Sequence, residues 1–483
     1  MTPGVSLRPE IQGLRAIAVG LVLIFHIWPH ILPGGFVGVD VFFVISGYLI
    51  VGSLVREAER EGRISLTAFY GRRVRRLLPA ATVVLAFAFA GTLLWLPQAR
   101  WSDTFLQIGA SALYVQNWYL SWASVDYLAA ENAASPVQHY WSLSIEEQFY
   151  IVWPFLMLGI LAIARQIKTP VRNLLGAAVL VIFSASLAAS FWLTETQPGA
   201  AYFVSHTRVW ELALGGLLAI WLPAIKAADV VRGLLFVVGL AAILVSGFLY
   251  DPSVVPFPGL SALLPTLGAA AIILAGNFRL SVFRGLDYAP LRYLGDISYS
   301  VYLWHWPLIV FYQAAGYEIG LVSGLAILAV TLVVSHVSYV FVEGWFRHPD
   351  DAVEARTLPF GIASVGLIVC AVFVGVTVIN RVPAGSETLV AGTPGEQLYP
   401  GPAALVDGAP VPSNVPMMPS PMRLLSDKAP VYASGCHQSQ AASEVNVCTF
   451  GDPEGSVRVG VIGSSHSVNW LPAIDLLGQK NGW

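Results

Sequence analysis

The sequence contains little charge. Asp, Glu, Lys and Arg make up 11% of its 483 residues, whereas 56% are hydrophobic, and the mean hydropathy is +0.68. A soluble globular domain carries about a quarter charged residues. The composition therefore excludes a soluble protein and predicts a polytopic membrane protein. The net charge of −3 decides nothing, because charge differences between loops matter more than their sum.

Cysteine is also scarce, with three residues in the chain. Cys370 lies in a hydrophobic run, while Cys436 and Cys448 lie close together in a polar tail. Such a pair favours a disulfide if the tail is outside the cytoplasm, where thiols are oxidised.

Long apolar runs predict an all-α bundle of about eleven transmembrane helices. The stretch 104–120 is also apolar, but it contains Gln107, Gln116 and Asn117, so we predict a re-entrant or interfacial segment there. The predicted spans are 15–32, 37–55, 77–97, 149–164, 173–193, 207–224, 232–250, 260–276, 297–315, 321–343 and 358–379.

The basic residues predict the orientation of these spans. With eleven spans and the N-terminus inside, most of the 26 Lys and Arg residues fall in cytoplasmic segments and the C-terminal tail lies outside. Counting 104–120 as a further span would place the later basic loops outside, against the positive-inside rule.

The chain divides into four predicted parts. Ten spans occupy 8–348, an eleventh helix occupies 358–379, and 381–430 is a linker rich in Pro, Gly and Ala. Residues 431–483 contain SVRVGVIGSSHSVNW, a β-run followed by a Gly-Ser turn and a helix. We therefore expect the start of a small α/β domain outside the membrane.

Two polar side chains share the first span. Arg15 and His26 are eleven residues apart, so a helix places them on nearly the same face, about 16 Å apart along the axis. Ionisable groups are costly in hydrocarbon and usually functional there. A satisfied core histidine is the alternative for His26. As a catalytic residue, it could remove a proton from a hydroxyl or carry an acyl group.

Four more ionisable residues are catalytic candidates near the outer ends of helices. Asp40 opens the second span, with a carboxylate favoured by the helix dipole as the competing explanation. The adjacent Glu146 and Glu147 face about 100° apart, so only one of them should look squarely into a crevice shared with His26. Arg208 at the start of the sixth span could simply pair with Glu211.

An arginine cluster lies at the inner surface. Guanidinium groups match phosphate oxygens, so we predict a phosphate-binding site there, against the alternative of a topology signal in contact with anionic lipid. Arg15 comes from the same side, and Glu343 ends the tenth span near the cluster. The four clustered residues are Arg72, Arg73, Arg75 and Arg76.

The ninth span, SYSVYLWHWP, adds Tyr302, His305 and Trp306 to the candidates. An aromatic belt explains the rings but not a histidine in the middle of a helix.

The candidates differ by membrane depth. Phosphate binders lie inside, and acid-base groups lie from the middle of the membrane outward. A cytoplasmic phosphorylated donor and an external acceptor fit this polarity. A transporter of a glycolipid or acyl carrier is the competing class, because His, Glu and Arg also build proton relays, and a passive scaffold is a third alternative.

Several motifs resemble the acyltransferase-3 family, membrane enzymes that acylate bacterial cell-surface carbohydrates. The resemblance covers about residues 8–348 in the same order. The matching motifs are Arg15 with His26, GVDVFFVISGYLI, FYGRRVRRLLP, HYWSLSIEEQFYIVWP, RVWELALGG, PFPGLSALLPTLG, ISYSVYLWHWPLI and FVEGWFR.

The resemblance implies a bacterial cytoplasmic-membrane enzyme in which His26 is central. It implies acetyl-CoA as the cytoplasmic acyl donor and O-acetylation of an envelope glycan or glycolipid outside. No metal and no nucleic-acid partner is expected.

The tail is similar to the start of an SGNH-hydrolase domain. The stretch GSSHS places the family's nucleophile position at Ser465, but Ser464 stands where the family has Asp. No Asp-x-x-His follows to activate the serine, so we expect an incomplete domain in which Ser465 is inactive.

Overall fold

The computed structural model describes most of the chain. It covers 9–125, 133–222, 228–276, 286–347, 351–381 and 399–483, the last without 402, 412–414, 416, 418–419, 427, 433, 437–445 and 464. Two compact units are present: Met1–Leu96 with Trp101–Val376, and Pro97–Arg100 with Thr377–Trp483.

The first unit consists of helices. Its first eight are α1 (Pro9–Ile27), α2 (Gly38–Glu61), α3 (Leu66–Trp95), α4 (Trp101–Ala112), α5 (Gln116–Val125), α6 (Tyr140–Ile167), α7 (Val171–Thr196) and α8 (Pro198–Phe203). The remaining helices are α9 (Val209–Trp221), α10 (Asp229–Leu249), α11 (Leu263–Ala275), α12 (Ala289–Ala314), α13 (Leu321–Val337), α14 (Gly344–Arg347) and α15 (Asp351–Arg381). A π-helical turn, Ser338–Glu343, joins α13 to α14.

The helices confirm an all-α multi-pass membrane bundle. Within the described ranges, eight helical segments are long and apolar enough to cross a bilayer, and α9 and α11 are shorter apolar helices. The 26 residues of α12 also suffice for a crossing, although its polar side chains lower its hydropathy. With α12, nine described segments are long enough to cross, so the predicted total of eleven would also need α9 and α11, which have 13 residues each.

The ambiguous stretch 104–120 forms two short helices. The 12 residues of α4 and the 10 of α5 are each too few to cross a bilayer. Gln116 Nε2 donates to Gln107 Oε1 at 2.8 Å, and Asn117 Nδ2 donates to the Phe203 carbonyl at 3.1 Å. The amide groups of these residues therefore donate to one another and to the bundle, which agrees with leaving this stretch out of the count of spans.

Small residues bring α2 against α9. A Cβ on Gly47 would clash with the Leu212 carbonyl oxygen, and a Cβ on Gly215 would clash with the Val44 carbonyl oxygen. Such close backbone contact is typical of membrane helices, which gain little from hydrophobic burial against lipid. The core of buried apolar side chains around this crossing comes from α1, α2, α9, α10 and α11.

The second unit contains short helices in its tail. These are α16 (Ala403–Val406), α17 (Ser465–Val468) and α18 (Leu471–Asn481). Residues 456–463 form no strand, and no strand occurs elsewhere among the tail residues that the structure covers. The predicted α/β character is therefore not found, because a strand exists only when it pairs with a neighbour.

Candidate functional site

A pair of histidines joins α1 to α12. His26 Nδ1 and His305 Nε2 are 2.9 Å apart, and the two rings stack with centroids 5.1 Å apart. His305 is buried, whereas His26 is half-buried. The sequence placed the two histidines in separate motifs, and the structure brings them into direct contact.

Hydrogen bonds fix the tautomers of this pair. His305 Nδ1 lies 3.1 Å from the Val301 carbonyl oxygen, which can only accept, so this nitrogen carries the proton. Neutral His305 therefore has its lone pair on Nε2, and His26 Nδ1 donates to it. The lone pair of neutral His26 is then on Nε2, which is the arrangement of an oriented general base.

Aromatic and hydroxyl side chains surround the pair. The Trp306 ring centroid is 4.5 Å from that of His26, and Trp306 Nε1 donates to the Ser135 carbonyl at 2.8 Å. The Tyr302 hydroxyl is 2.6 Å from Ser142 Oγ. The predicted candidates of the ninth span therefore lie at one site with His26.

His139 also lies at this site, and sequence reasoning missed it. Its ring centroid is 5.6 Å from that of His305, and its Nε2 is 3.1 Å from the Leu303 carbonyl oxygen. The available signal was a polar residue directly before the apolar run of α6, in the motif QHYWSLSIEE.

A cavity lined by arginines reaches Tyr302, which contacts the histidine pair. Its walls come from α1, α2, α3, α6 and α12, and they include Arg15, Arg73, Arg76 and Tyr302. The Tyr302 ring centroid is 5.5 Å from that of His305. The same cavity therefore extends from three guanidinium groups to a side chain that contacts the histidine pair.

Arg73 and Arg76 line the cavity because of their helical spacing. Residues three apart on α3 share a face. The Arg73 guanidinium lies 5.5 Å from the Tyr150 ring centroid, and its Nε is buried without a hydrogen-bond partner in the part of the chain that the structure describes. Arg15 donates from one guanidinium nitrogen to Gln12 Oε1 at 3.0 Å. These groups can therefore accept an anion such as a phosphate.

Both glutamates of α6 line the cavity. Glu146 accepts hydrogen bonds from the Ser46 and Tyr150 hydroxyls. Glu147 is beside it in the cavity wall, although the sequence predicted that only one would face inward. The wall is wide because α6 presents two adjacent rows of residues, which include Ser142 and Tyr150 in one row and Glu147 in the other.

Three members of the predicted phosphate site lie away from the cavity wall. Arg72 is half-exposed and pairs with Glu57 at 3.4 Å. Arg75 does not line the cavity. Glu343 is buried in the π-helical turn, where it accepts a hydrogen bond from Ser300 Oγ at 2.5 Å.

Asp40 and Arg208 belong to a closed ion cluster. One guanidinium nitrogen of Arg208 is 3.0 Å from Asp40 Oδ1, and the other is 3.0 Å from Glu211 Oε1. All three side chains are at most 1% exposed. The rings of Phe43, Trp141, Tyr202 and Phe257 enclose the guanidinium, with centroids 5.2 to 5.9 Å away.

The tail residues occupy the second unit. Cys436 and Cys448 are joined by a disulfide. Ser465 begins α17, and its side chain lies outside the described part of the structure. The resemblance to an SGNH domain stays a prediction.

The chain is a helical membrane bundle that contains a pair of histidines and a cavity lined by arginines. These features define the class of protein. A family model described as an acyltransferase domain matches residues 8–341. The chain therefore belongs to the acyltransferase-3 family.

Curated relatives are similar over the same region. The chain is 32% identical over 309 residues to peptidoglycan O-acetyltransferase OatA of Listeria monocytogenes, which is 62% of this chain and 49% of that protein. It is 33% identical over 353 residues to O-acetyltransferase OatA of Staphylococcus aureus, 69% of this chain and 56% of that protein.

A third relative is BcsY of Komagataeibacter xylinus, which is named as a membrane-bound transacylase. Its identity is 37% over 346 residues, 70% of this chain and 82% of that protein. The chain spans about half the length of the two OatA proteins. No solved structure matches the chain.

Proposed function

We propose that this chain is a membrane O-acetyltransferase that moves an acetyl group from acetyl-CoA to a hydroxyl of an envelope glycan or glycolipid. One observation carries the proposal. The oriented His26–His305 pair contacts Tyr302, and Tyr302 lines a cavity together with Arg15, Arg73 and Arg76.

The arginine end of the cavity fits the donor. Arg73 has a buried Nε that meets no hydrogen-bond partner within the described ranges, and Arg15 and Arg76 add two further guanidinium groups. Such groups hold the phosphates of a coenzyme by charge-assisted hydrogen bonds. Acetyl-CoA supplies an acetyl thioester when bound. The positive-inside rule places this end at the cytoplasmic surface and the tail outside.

His26 is the base of the transfer. Its Nε2 takes the proton of the acceptor hydroxyl as the new ester C–O bond forms and the thioester C–S bond breaks. His26 then returns that proton to the departing thiolate, so that the products are the acetyl ester and free CoA. His305 orients the ring and stabilises the imidazolium, since its Nε2 accepts from His26 Nδ1.

The family and its members support this choice of acceptor class. One relative is named for peptidoglycan, and two are named O-acetyltransferases. A glycan or glycolipid presented at the outer face of a bacterial cytoplasmic membrane supplies hydroxyl groups in reach of the histidine end.

The full chain reconstituted in lipid vesicles tests this function. We expect label from acetyl-labelled acetyl-CoA to appear as an alkali-labile ester on added peptidoglycan fragments or extracted glycolipid. The His26→Ala protein, reconstituted in equal amount, should transfer none. Labelled carrier or lipid that crosses the membrane without a new ester would contradict the proposal and favour a transporter.

A further inference from the structure

The helix proline next to the histidine pair frees one backbone carbonyl. Pro307 lies inside α12 and has no N–H, so the carbonyl four residues earlier, at Leu303, lacks its usual helical donor. His139 Nε2 lies 3.1 Å from that oxygen. The His139 side chain, at the start of α6, thus gives the Leu303 carbonyl the hydrogen bond that Pro307 removes from α12.

This bond fixes the tautomer of His139. The Leu303 carbonyl can only accept, so the proton is on His139 Nε2 and the lone pair of the neutral ring is on Nδ1. That Nδ1 is buried and has no hydrogen-bond partner among the described residues. A proton added there would therefore have no acceptor and would place a charge beside His305, 5.6 Å away between ring centroids.

His139 also holds the turn of α12 that carries the site. The Tyr302 hydroxyl donates to the His139 carbonyl at 3.0 Å, so main chain and side chain of this residue both contact α12. Trp306, which packs on His26, is bonded to the same connecting segment through the Ser135 carbonyl at 2.8 Å.

We propose that His139 is a positioning residue that holds the proline-containing turn of α12 against His26 and, by remaining neutral, confines the transferred proton to the His26–His305 pair. The inference rests on the proposed acetyl transfer for its catalytic consequence. The tautomer assignment rests on geometry alone. The three imidazoles therefore have three different roles. His26 takes the proton, His305 accepts the hydrogen bond from His26, and His139 holds the turn of α12 that carries His305.

Nitrogen-15 spectra of the full chain in lipid nanodiscs, labelled at histidine, test the tautomers. We expect a neutral ring with its proton on Nε2 for His139 and on Nδ1 for His305 and His26, assigned by loss of signals in single His→Gln variants. A protonated His139, or one with its proton on Nδ1, at neutral pH would overturn the proposal. This readout does not require acetyl transfer, so its failure is distinguishable from failure of the proposed function.

Two substitutions test the positioning role in transfer assays. His139→Leu removes the donor to Leu303, and Pro307→Ala supplies that carbonyl with a helical N–H while leaving His139 in place. We expect both to lower kcat by at least about tenfold, with little change in KM for acetyl-CoA, and to shift the His305 nitrogen signals. His139→Gln, which can still donate to Leu303, should restore most of the rate.

The matched control is Pro154→Ala, which removes a helix proline from α6. It should leave the histidine signals unchanged. Full kcat and unchanged His305 signals in the folded His139→Leu protein would contradict the proposal, as would failure of Gln to rescue beyond Leu.

Discussion

Burial separates the ionisable residues of this bundle into two groups. Arg73 and Arg76 face a cavity and have room for a ligand, whereas Arg208 is 1% exposed and already contacts two carboxylates. Arg73 and Arg76 can therefore bind an anion, whereas Arg208 and its two carboxylates hold helices together.

Donor binding should depend on the cavity-facing arginines. Replacing Arg73 and Arg76 together by Gln should raise KM for acetyl-CoA by about a hundredfold or more, because each lost charge-assisted contact contributes roughly 1.5–3 kcal/mol. Arg72→Gln is the matched control, since Arg72 pairs with Glu57 outside the cavity. Steady-state kinetics in vesicles measure both. An unchanged KM in the double variant would contradict a role in donor binding and return the cluster to a topology signal.

The histidine partner should affect the chemical step. His305→Leu removes the acceptor for His26 Nδ1–H, so we expect kcat to fall by at least about tenfold with KM for acetyl-CoA unchanged. His336→Leu is the control, because His336 lies on α13 and bonds Tyr293 away from the site. Equal rates for wild type and His305→Leu would remove the pair from the mechanism.

The ion cluster should matter mainly for stability. Arg208→Met leaves Asp40 and Glu211 buried without a counter-charge, which costs about 3–5 kcal/mol for a broken buried pair. We expect a clear fall in the thermal unfolding temperature, read by tryptophan fluorescence in detergent. Arg172→Met, which breaks the exposed pair with Glu59, should change it little. An Arg208→Met protein of normal stability and no activity would instead give Arg208 a catalytic role.

The sequence singled out most residues of the candidate site but not the contacts between them. Hydrophobic surroundings made Arg15, His26 and His305 conspicuous, because polar groups are rare there. His139 escaped notice, since it precedes an apolar helix and its partner Leu303 is 164 residues away. A contact of that range depends on how helices pack, which periodicity does not encode.

At the scale of elements, the α2–α9 crossing is the contact that positions Ser46 and Asp40. We expect Gly47→Ala to destabilise the protein by about 1–3 kcal/mol, because a methyl group there meets the Leu212 carbonyl and the helices must separate. Gly20→Ala is the control, since nothing lies within 4 Å of a Cβ at that position. Thermal unfolding of both proteins compares them, and equal stability would contradict the close crossing.

Hydropathy predicted where most helices lie but not where they end. The third helix begins at Leu66, well before the predicted span at 77, because backbone hydrogen bonds continue through the arginine cluster. The break between α4 and α5 falls where Tyr114 adopts a φ of 53°, a local geometry that composition does not reveal. The predicted strand in the tail was wrong for a related reason, since strand formation needs a partner elsewhere in the chain.

At the scale of the whole molecule, the predicted orientation places the disulfide outside. In intact cells carrying a Cys370→Ala protein, Cys436 and Cys448 should react with a membrane-impermeant maleimide only after treatment with an external reductant. Permeabilisation before reduction should add no further label. Thiols that are free and reachable only after permeabilisation would place the tail in the cytoplasm and reverse the topology.

The same predicted orientation puts the cavity arginines on the side of the basic loops and the histidine pair toward the opposite face. In the proposed function, donor and acceptor meet inside the bundle, and His26 is the group that handles the proton.

Mass spectrometry of the envelope tests this central claim most directly. Bacteria lacking the gene are complemented with either the wild-type chain or His26→Ala at equal membrane levels, and their glycans and glycolipids are compared before and after mild alkali. We predict species heavier by one acetyl group, lost in alkali, with the wild-type chain alone. The same acetylated species in cells that contain His26→Ala, or none with the wild-type chain, would contradict the account.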